Sequence, residues 1–463
     1  MQAEQPKYGF GMTCSACLWL GLFPLLQRGT YATLTHDKWT IMLVLTGITL
    51  LCFFVDTIIR VRVILSGAKR SRRISPPAGV PTRSFLPLIL ASALLFWTVL
   101  SCLFSSFGPD TWWQGEAVRY EGLASALCYF ILFACFFFAR VNMKPVLLSA
   151  AGGVAVFFVI VLLQRGGGNP LGLYPSGRSY VQNPEFQGTI GNIDMGTGYL
   201  LLLAGLFLYG LIKAVSDLRS RMKCRSEESE AKSRNLHPRT LLFIMILFVA
   251  ILLTLYLILT MHVQFGIISL AVLFLFTLLR FLPKKWRLPL LIFLIVAVLL
   301  VVWFWPGKTG GVWELHEIFH GRTRLSFGSD RVAVWLYSLR LARENLLLGG
   351  GSATFRSRFN RFLAENDLTI PDEQDGLILP NYFDNPHNEY IAQLTDHGLP
   401  ALLLFVALLL LSLFRRKEGW FPLLAPCSAA VLCYAVQAFF SFSVCIVAPM
   451  FWVLLSMSFN EPQ

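Results

Sequence analysis

The sequence predicts an all-α fold: a polytopic integral membrane protein with about twelve transmembrane helices and one large extracytoplasmic loop containing amphipathic helices. Three observations lead there. Of the 463 residues, 56% are apolar and 14% charged, with a mean hydropathy of +0.62, far outside the soluble average. Apolar runs long enough to cross a bilayer recur along the whole chain. Lysines and arginines collect in alternate connections between those runs.

The runs place helices near residues 10–27, 40–59, 85–107, 120–139, 145–163, 194–213, 240–260, 264–280, 288–305, 398–414, 420–438 and 443–459. Only AFFSF divides the last two, so eleven and twelve spans both fit. The first stretch, GFGMTCSACLWLGLFPLLQ, lacks a basic leader and a small-x-small cleavage site, and is expected to be an uncleaved span. Residues 1–305 thus hold nine helices with short loops, 306–397 the large extracytoplasmic loop, and 398–463 the C-terminal helices.

Orientation follows from charge. With the N-terminus inside, most of the 39 lysines and arginines fall on that side, among them Arg60, Arg72, Arg83, Arg140, Lys144, Arg280, Lys285 and Arg415. Both termini are therefore expected in the cytoplasm, with Ser352 and Asn381 outside and Ser226 inside. The net charge of +13 requires no nucleic-acid partner, since basic inner loops facing anionic lipid account for it. Nine of the ten cysteines lie within spans and Cys224 in the charged connector Ser220 to Pro238, so no disulfide is expected, and CSAC, which fits C-x-x-C, lies inside an apolar helix with no second pair to make a redox or metal site.

Two connections on the outward side have real length, 164–193 and 306–400, and the longer is too long to be passive. In FGSDRVAVWLYSLRLARENLLLGGGSATF, Ser329 suits a helix N-cap and Asp330 the first turn. Val332, Trp335, Leu336, Leu339 and Leu346 recur at helical spacing, and Gly349 to Gly351 supply a stop. An amphipathic helix lying on the outer membrane face is expected, with Arg331 in a first turn whose free N–H groups favour an anion. The alternative is a surface arginine against lipid phosphate. HEIFH, His316 to His320, fits the zincin pattern, so a membrane metalloprotease is a second alternative.

The run from Phe327 to Phe355, followed after a polar stretch by HNEYIAQLTDHGLPALLLF, resembles the O-antigen ligase-like family of O-antigen ligases and polysaccharide polymerases. That family carries an Arg-x-x-x-Trp helix start, a Leu-Leu-Gly-x-Gly-x-x-Thr-Phe segment, and His-Asn-x-Tyr followed by Gly-Leu-Pro at the next span. QGTIGNIDMGTGYLLLL and RYEGLASALCYFILF resemble its upstream helix starts, so the likeness covers about residues 115 to 410. Aspartate in GSDR, the missing proline before the Leu-Leu-Gly and NIDMG in place of Asn-Pro-Asn depart from the pattern; they leave the arginine and histidine in place and bear on glycan choice.

The resemblance implies an inverting, metal-independent glycosyl transfer with no cofactor, outside the cytoplasmic membrane. The donor is a polyprenyl-diphosphate-linked glycan, and the acceptor a hydroxyl of another glycan or envelope component. Arginines suit the diphosphate leaving group and a neutral histidine suits the acceptor proton. Arg331 and His387 are the expected catalytic pair, with Arg178, Asn388, Tyr390 and Arg119 on the substrates. Pro386 biases the turn before His387, and either Asp384 or Glu389 is placed to orient the imidazole. His397 is expected as a helix-start residue. The rival from another class is a transporter or flippase of lipid-linked glycans, which predicts ionisable residues within spans; Asp56, Asp194 and Asp217 lie only at span ends.

Overall fold

The computed structural model describes residues 8–70, 84–226, 238–370, 383–414, 417–418, 421–422 and 424–460. Asn381, Arg72, Arg83, Arg415 and most of the charged connector, including the Ser226 and Cys224 side chains, lie outside the described residues.

Each predicted span is found as a helix. Among the described residues, eight helices are long and apolar enough to cross a membrane. In chain order they begin after α1 (Phe10–Cys17), which runs through a π turn and a 3-10 turn to Leu25. Then come α2 (Leu34–Arg70), α3 (Leu86–Leu103), the one-turn α4 (Pro109–Trp112), α5 (Leu123–Phe138) and α6 (Met143–Arg165). A two-residue hairpin, β1 (Phe186–Gln187) with β2 (Gly191–Asn192), leads into α7 (Ile193–Ser226), followed by α8 (Pro238–Thr260), α9 (Gln264–Phe281) and α10 (Lys284–Trp303). The segment after α10 contributes α11 (Gly311–Phe319), α12 (Arg331–Leu341) and α13 (Phe355–Glu365). The chain then returns as α14 (Glu389–Phe414), α15 (Pro426–Gln437) and α16 (Ala448–Ser458). α1 with its turns, α5, α15 and α16 are apolar but short of spanning length.

The main core is built from the faces these helices turn inward. α7 is enclosed, with Leu200 to Leu203, Leu206 and Phe207 buried, whereas α10 buries only Arg287 and Val302 and leaves Ile292, Phe293 and Val298 exposed, as a peripheral lipid-facing helix does. Asp56, expected only near a span end, holds two helices together by accepting from the N–H groups of Gly11 and Met12 at the open first turn of α1. The nine cysteines with described side chains are all free.

Residues beyond α10 form a second, smaller core: Ala333, Val334, Tyr337 and Leu341 of α12 pack on Phe355, Phe359 and Phe362 of α13, with Ile370 and Phe383. The face of α12 that enters this core is thus the one with the smaller side chains. Leu336, Leu339 and Leu346 are exposed, and the buried stripe is the one that meets α13. The stripe expected on the membrane face stays outside the core, and the opposite face fits a phenylalanine-rich partner helix. Ser329 is no cap either, since Ser329 and Asp330 both adopt left-handed backbone and neither side chain bonds the first turn. Nor do the glycines end the helix: α12 stops at Leu341, tightening into a 3-10 turn over Ala342–Asn345. Ser352 is 2% exposed and so is no labelling site.

α14 is two helices joined at a break. Gly398 has φ 81° and ψ 177°, a conformation open essentially to glycine alone. A Cβ there would collide with the Leu347 carbonyl oxygen, and Leu399 N–H donates to Leu346 O at 2.7 Å. The break thus seats the Leu346–Leu347 turn against the start of the span. Gly398→Ala is expected to cost about 1–3 kcal/mol from backbone strain, with the clash in addition, visible as a lowered melting temperature of the detergent-solubilised protein.

The charge count also yields a topology test on exposed positions. A cysteine at Thr309 is expected to react with an impermeant reagent added outside cells, and one at Ser220 only after permeabilisation. The opposite pattern would reverse the assigned orientation.

Candidate active site

Arg331 opens α12, and Trp335 follows one turn later on the same helix face. The Trp335 indole Nε1 donates at 2.9 Å to the carbonyl of Pro386, the residue before His387. The Arg-x-x-x-Trp spacing therefore fastens the histidine loop to the turn that carries the arginine.

Asn385 shapes the loop itself. Its side-chain oxygen accepts from His387 N–H at 2.8 Å, and the His387 backbone is left-handed, with φ 50°. Among the described residues, the non-glycine positions with such φ include His387, Ser329 and Asp330 before Arg331, and Tyr120 after Arg119. Strain of this kind costs about 1–3 kcal/mol per residue and persists where surrounding structure holds it.

The imidazole stands edge-on to Phe442 and Phe383, with centroids 5.1 Å and 6.2 Å away. Its Nδ1 lies 3.3 Å from the Asn385 carbonyl oxygen, a contact that requires hydrogen on Nδ1 and leaves the Nε2 lone pair free. Neither carboxylate named from sequence orients the ring. Asp384 is taken by Arg119, and Glu389 accepts from Ser443 N–H and Gln393. Burial, followed by the charges of Arg331 and Arg119, pushes the His387 pKa down to about 4 against the opposing effect of Asp384. The ring is neutral at pH 7, in the form a general base needs.

Arg119, 265 residues from Asp384, grips it with both arms of its guanidinium, Nε to Oδ2 at 2.6 Å and Nη2 to Oδ1 at 2.9 Å, and lies 3.9 Å over the Phe442 ring. Burial raises the Asp384 pKa, but the Arg119 hydrogen bonds and charge, with His387 and Arg356, bring it below the usual carboxylate value. Arg331 Nη1 reaches the Gly328 carbonyl at 3.3 Å, and its buried Nε has no hydrogen-bond partner. Arg119, Arg331 and His387 are thus gathered into one cluster.

The other expected residues are placed differently. Asn388 caps α14 by accepting from Tyr390 and Ile391 N–H, and the Tyr390 hydroxyl donates to Ala435 O at 2.7 Å, so their polar atoms serve the scaffold. Arg178 is exposed in the connection before β1, and no side-chain bond joins it to the cluster among the described residues. In HEIFH, Glu317 is held by Arg322 at 2.7 and 2.8 Å, while His316 Nδ1 meets Val302 O and His320 Nδ1 meets His316 O. Its glutamate is an ion-pair partner, not a free base.

Behind the cluster lie two cavities of about 90 and 100 Å³ that share Glu121, Glu389, Gln393, His397 and Ser443. Glu389, Gln393 and His397 recur every fourth residue on α14, so the polar constellation is not confined to loops. His397 is no helix-start residue: its Nε2 meets Ser352 Oγ at 2.9 Å and its Nδ1 meets Gln393 at 3.3 Å. The Glu121 carboxyl accepts from the Tyr129 hydroxyl at 2.7 Å. Sequence reading missed Arg356, Glu116 and Phe442. The first two had no spacing signal, and Phe442 sat in AFFSF, which read as a helix boundary.

Residues 247–406 match the family model described as O-antigen ligase. The match includes Arg331, Trp335 and His387 and stops short of Arg119 and Arg178. No curated protein matches the chain.

Proposed function

We propose, taking as premise the O-antigen ligase match of residues 247–406, that this multi-pass membrane protein transfers a glycan from a polyprenyl diphosphate to an acceptor hydroxyl on the extracytoplasmic side. Glycan ligation or polymerisation at a membrane is the general activity of that family. The observation carrying the finer reading is a His387 whose Nδ1 faces the Asn385 carbonyl, in a loop bonded by Trp335 to the Arg331 turn and through Asp384 to Arg119.

The acceptor O–H proton passes to His387 Nε2 as its oxygen attacks the anomeric carbon from the face opposite the diphosphate. The bond to phosphate breaks with its electron pair remaining on the diphosphate, and the configuration inverts. Arg331 stabilises the charge that grows on the leaving group; its planar fork matches two phosphate oxygens and its field acts in a partly buried site. Arg119, bonded to Asp384 of the histidine loop, adds a second guanidinium. No step calls for a metal or cofactor.

Mass analysis of the glycans of a deletion strain tests the reading in cells. Shortened chains are expected from loss of a polymerase, and full-length lipid-linked polymer without its acceptor from loss of a ligase. Unchanged surface and lipid-linked glycans would contradict it.

A further inference from the structure

Arg356, the second residue of α13, reaches the same cluster from a third direction. Its guanidinium lies 3.2 Å from Glu116 and 3.7 Å from the Asp384 oxygen that Arg119 also holds. The Glu116 approach is not aligned as a hydrogen bond, since the buried Arg356 Nε and Glu116 Oε2 both lack a hydrogen-bond partner, and the Asp384 approach is too long for one. The Arg331 Nε is in the same condition. Buried polar groups are nearly always bonded, and leaving a charged donor unsatisfied costs more than leaving a neutral one. One such donor lies beside an aspartate that Arg119 already holds and the other opens α12 in the same cluster, and together they point to an anion larger than a carboxylate.

We propose that Arg356 is a further diphosphate-binding residue and that Asp384 is the exchangeable partner whose carboxylate holds Arg119 and Arg356 until a diphosphate displaces it. This rests on the glycan-transfer reading for the identity of the diphosphate, but the anion site stands on its own geometry. A carboxylate and a phosphate present paired oxygens to a guanidinium fork in the same way. Asp384 brings one negative charge to Arg119 and Arg356, with Glu116 beside Arg356, whereas a lipid-sugar diphosphate brings two. Once displaced, Asp384 is free to turn its charge toward His387, whose field it already shares. The imidazolium formed as the acceptor proton moves over is then stabilised by both the aspartate and the diphosphate, so the base gains strength when the donor is in place.

The test uses the purified full-length protein and inorganic pyrophosphate as probe, with binding by calorimetry and folding by thermal melt. Asp384→Asn is expected to bind pyrophosphate several-fold more tightly than wild type while its glycan transfer falls. Arg356→Gln is expected to bind about tenfold more weakly, with Arg356→Lys intermediate, at an unchanged melt. Weaker binding by Asp384→Asn, as for Arg119→Ala, would show that Asp384 only anchors Arg119 and would overturn the exchange. Wild-type affinity in Arg356→Gln would remove Arg356 from the site. If the wild type binds pyrophosphate but forms no glycosidic bond, the anion site holds and the transferase reading falls; if it binds none, the inference fails whatever its enzymology.

Discussion

His387→Ala is expected to lower glycan transfer by about 10²- to 10⁴-fold while donor binding persists, the range for loss of a general base. Among the described residues no arginine is hydrogen-bonded to the imidazole; its bonds are to Asn385, and Phe442 and Phe383 stand edge-on to it. Removing it therefore deletes the proton acceptor and leaves the arginines in place. Two controls separate chemistry from folding. The truncated ring leaves space between two phenylalanines, so the melt must be compared with wild type. His387→Asn keeps a residue suited to the left-handed backbone at φ 50° and still offers no base at neutral pH. Both variants are expected to lose transfer. A near wild-type rate in either, correctly folded, would move the base elsewhere.

Arg331→Lys is expected to reduce transfer by about 10²- to 10³-fold, the scale for losing one preorganised donor at a developing oxyanion. An ammonium keeps the charge but not the fork. The pH profile distinguishes the two contributions. With its pKa held near 4, His387 is neutral above that value and protonated below it, so the acid limb of kcat/KM is expected near pH 4 in wild type. Arg331→Gln removes a positive neighbour that disfavours the imidazolium, so the His387 pKa rises and the limb moves up toward 6.5. Arg331→Lys retains the charge, so the limb stays while the rate falls. A limb that does not move in Arg331→Gln would mean that the two residues do not share a site.

Much of the membrane architecture was legible because a bilayer imposes a minimum apolar length, and each predicted run became a helix. What periodicity could not supply was the choice of partner. The larger apolar stripe of α12 was expected on the membrane face and stays outside the small core, but nothing in the spacing showed that the opposite face would pack on Phe355 and Phe359. The same limit applied to the site. Arg331 and His387 could be named because short spacings carried them, and Trp335 in that spacing proves to be the bond that ties them. The Arg119–Asp384 pair spans 265 positions, and Arg356 and Phe442 reach the cluster only through the packing of α13 and of the turn before α16. Asn388 and Tyr390 sit beside the histidine in sequence, but folding spends their polar atoms on α14 and on Ala435.

The central claim, a single displacement on a lipid diphosphate, is tested most directly in proteoliposomes supplied with a defined polyprenyl-diphosphate glycan and acceptor. Both the free polyprenyl diphosphate and the anomeric configuration of the product would be measured. One polyprenyl diphosphate released for each new glycosidic bond, with inversion, is the predicted result; retention of configuration, or glycan carried across the bilayer still attached to its lipid, would contradict it.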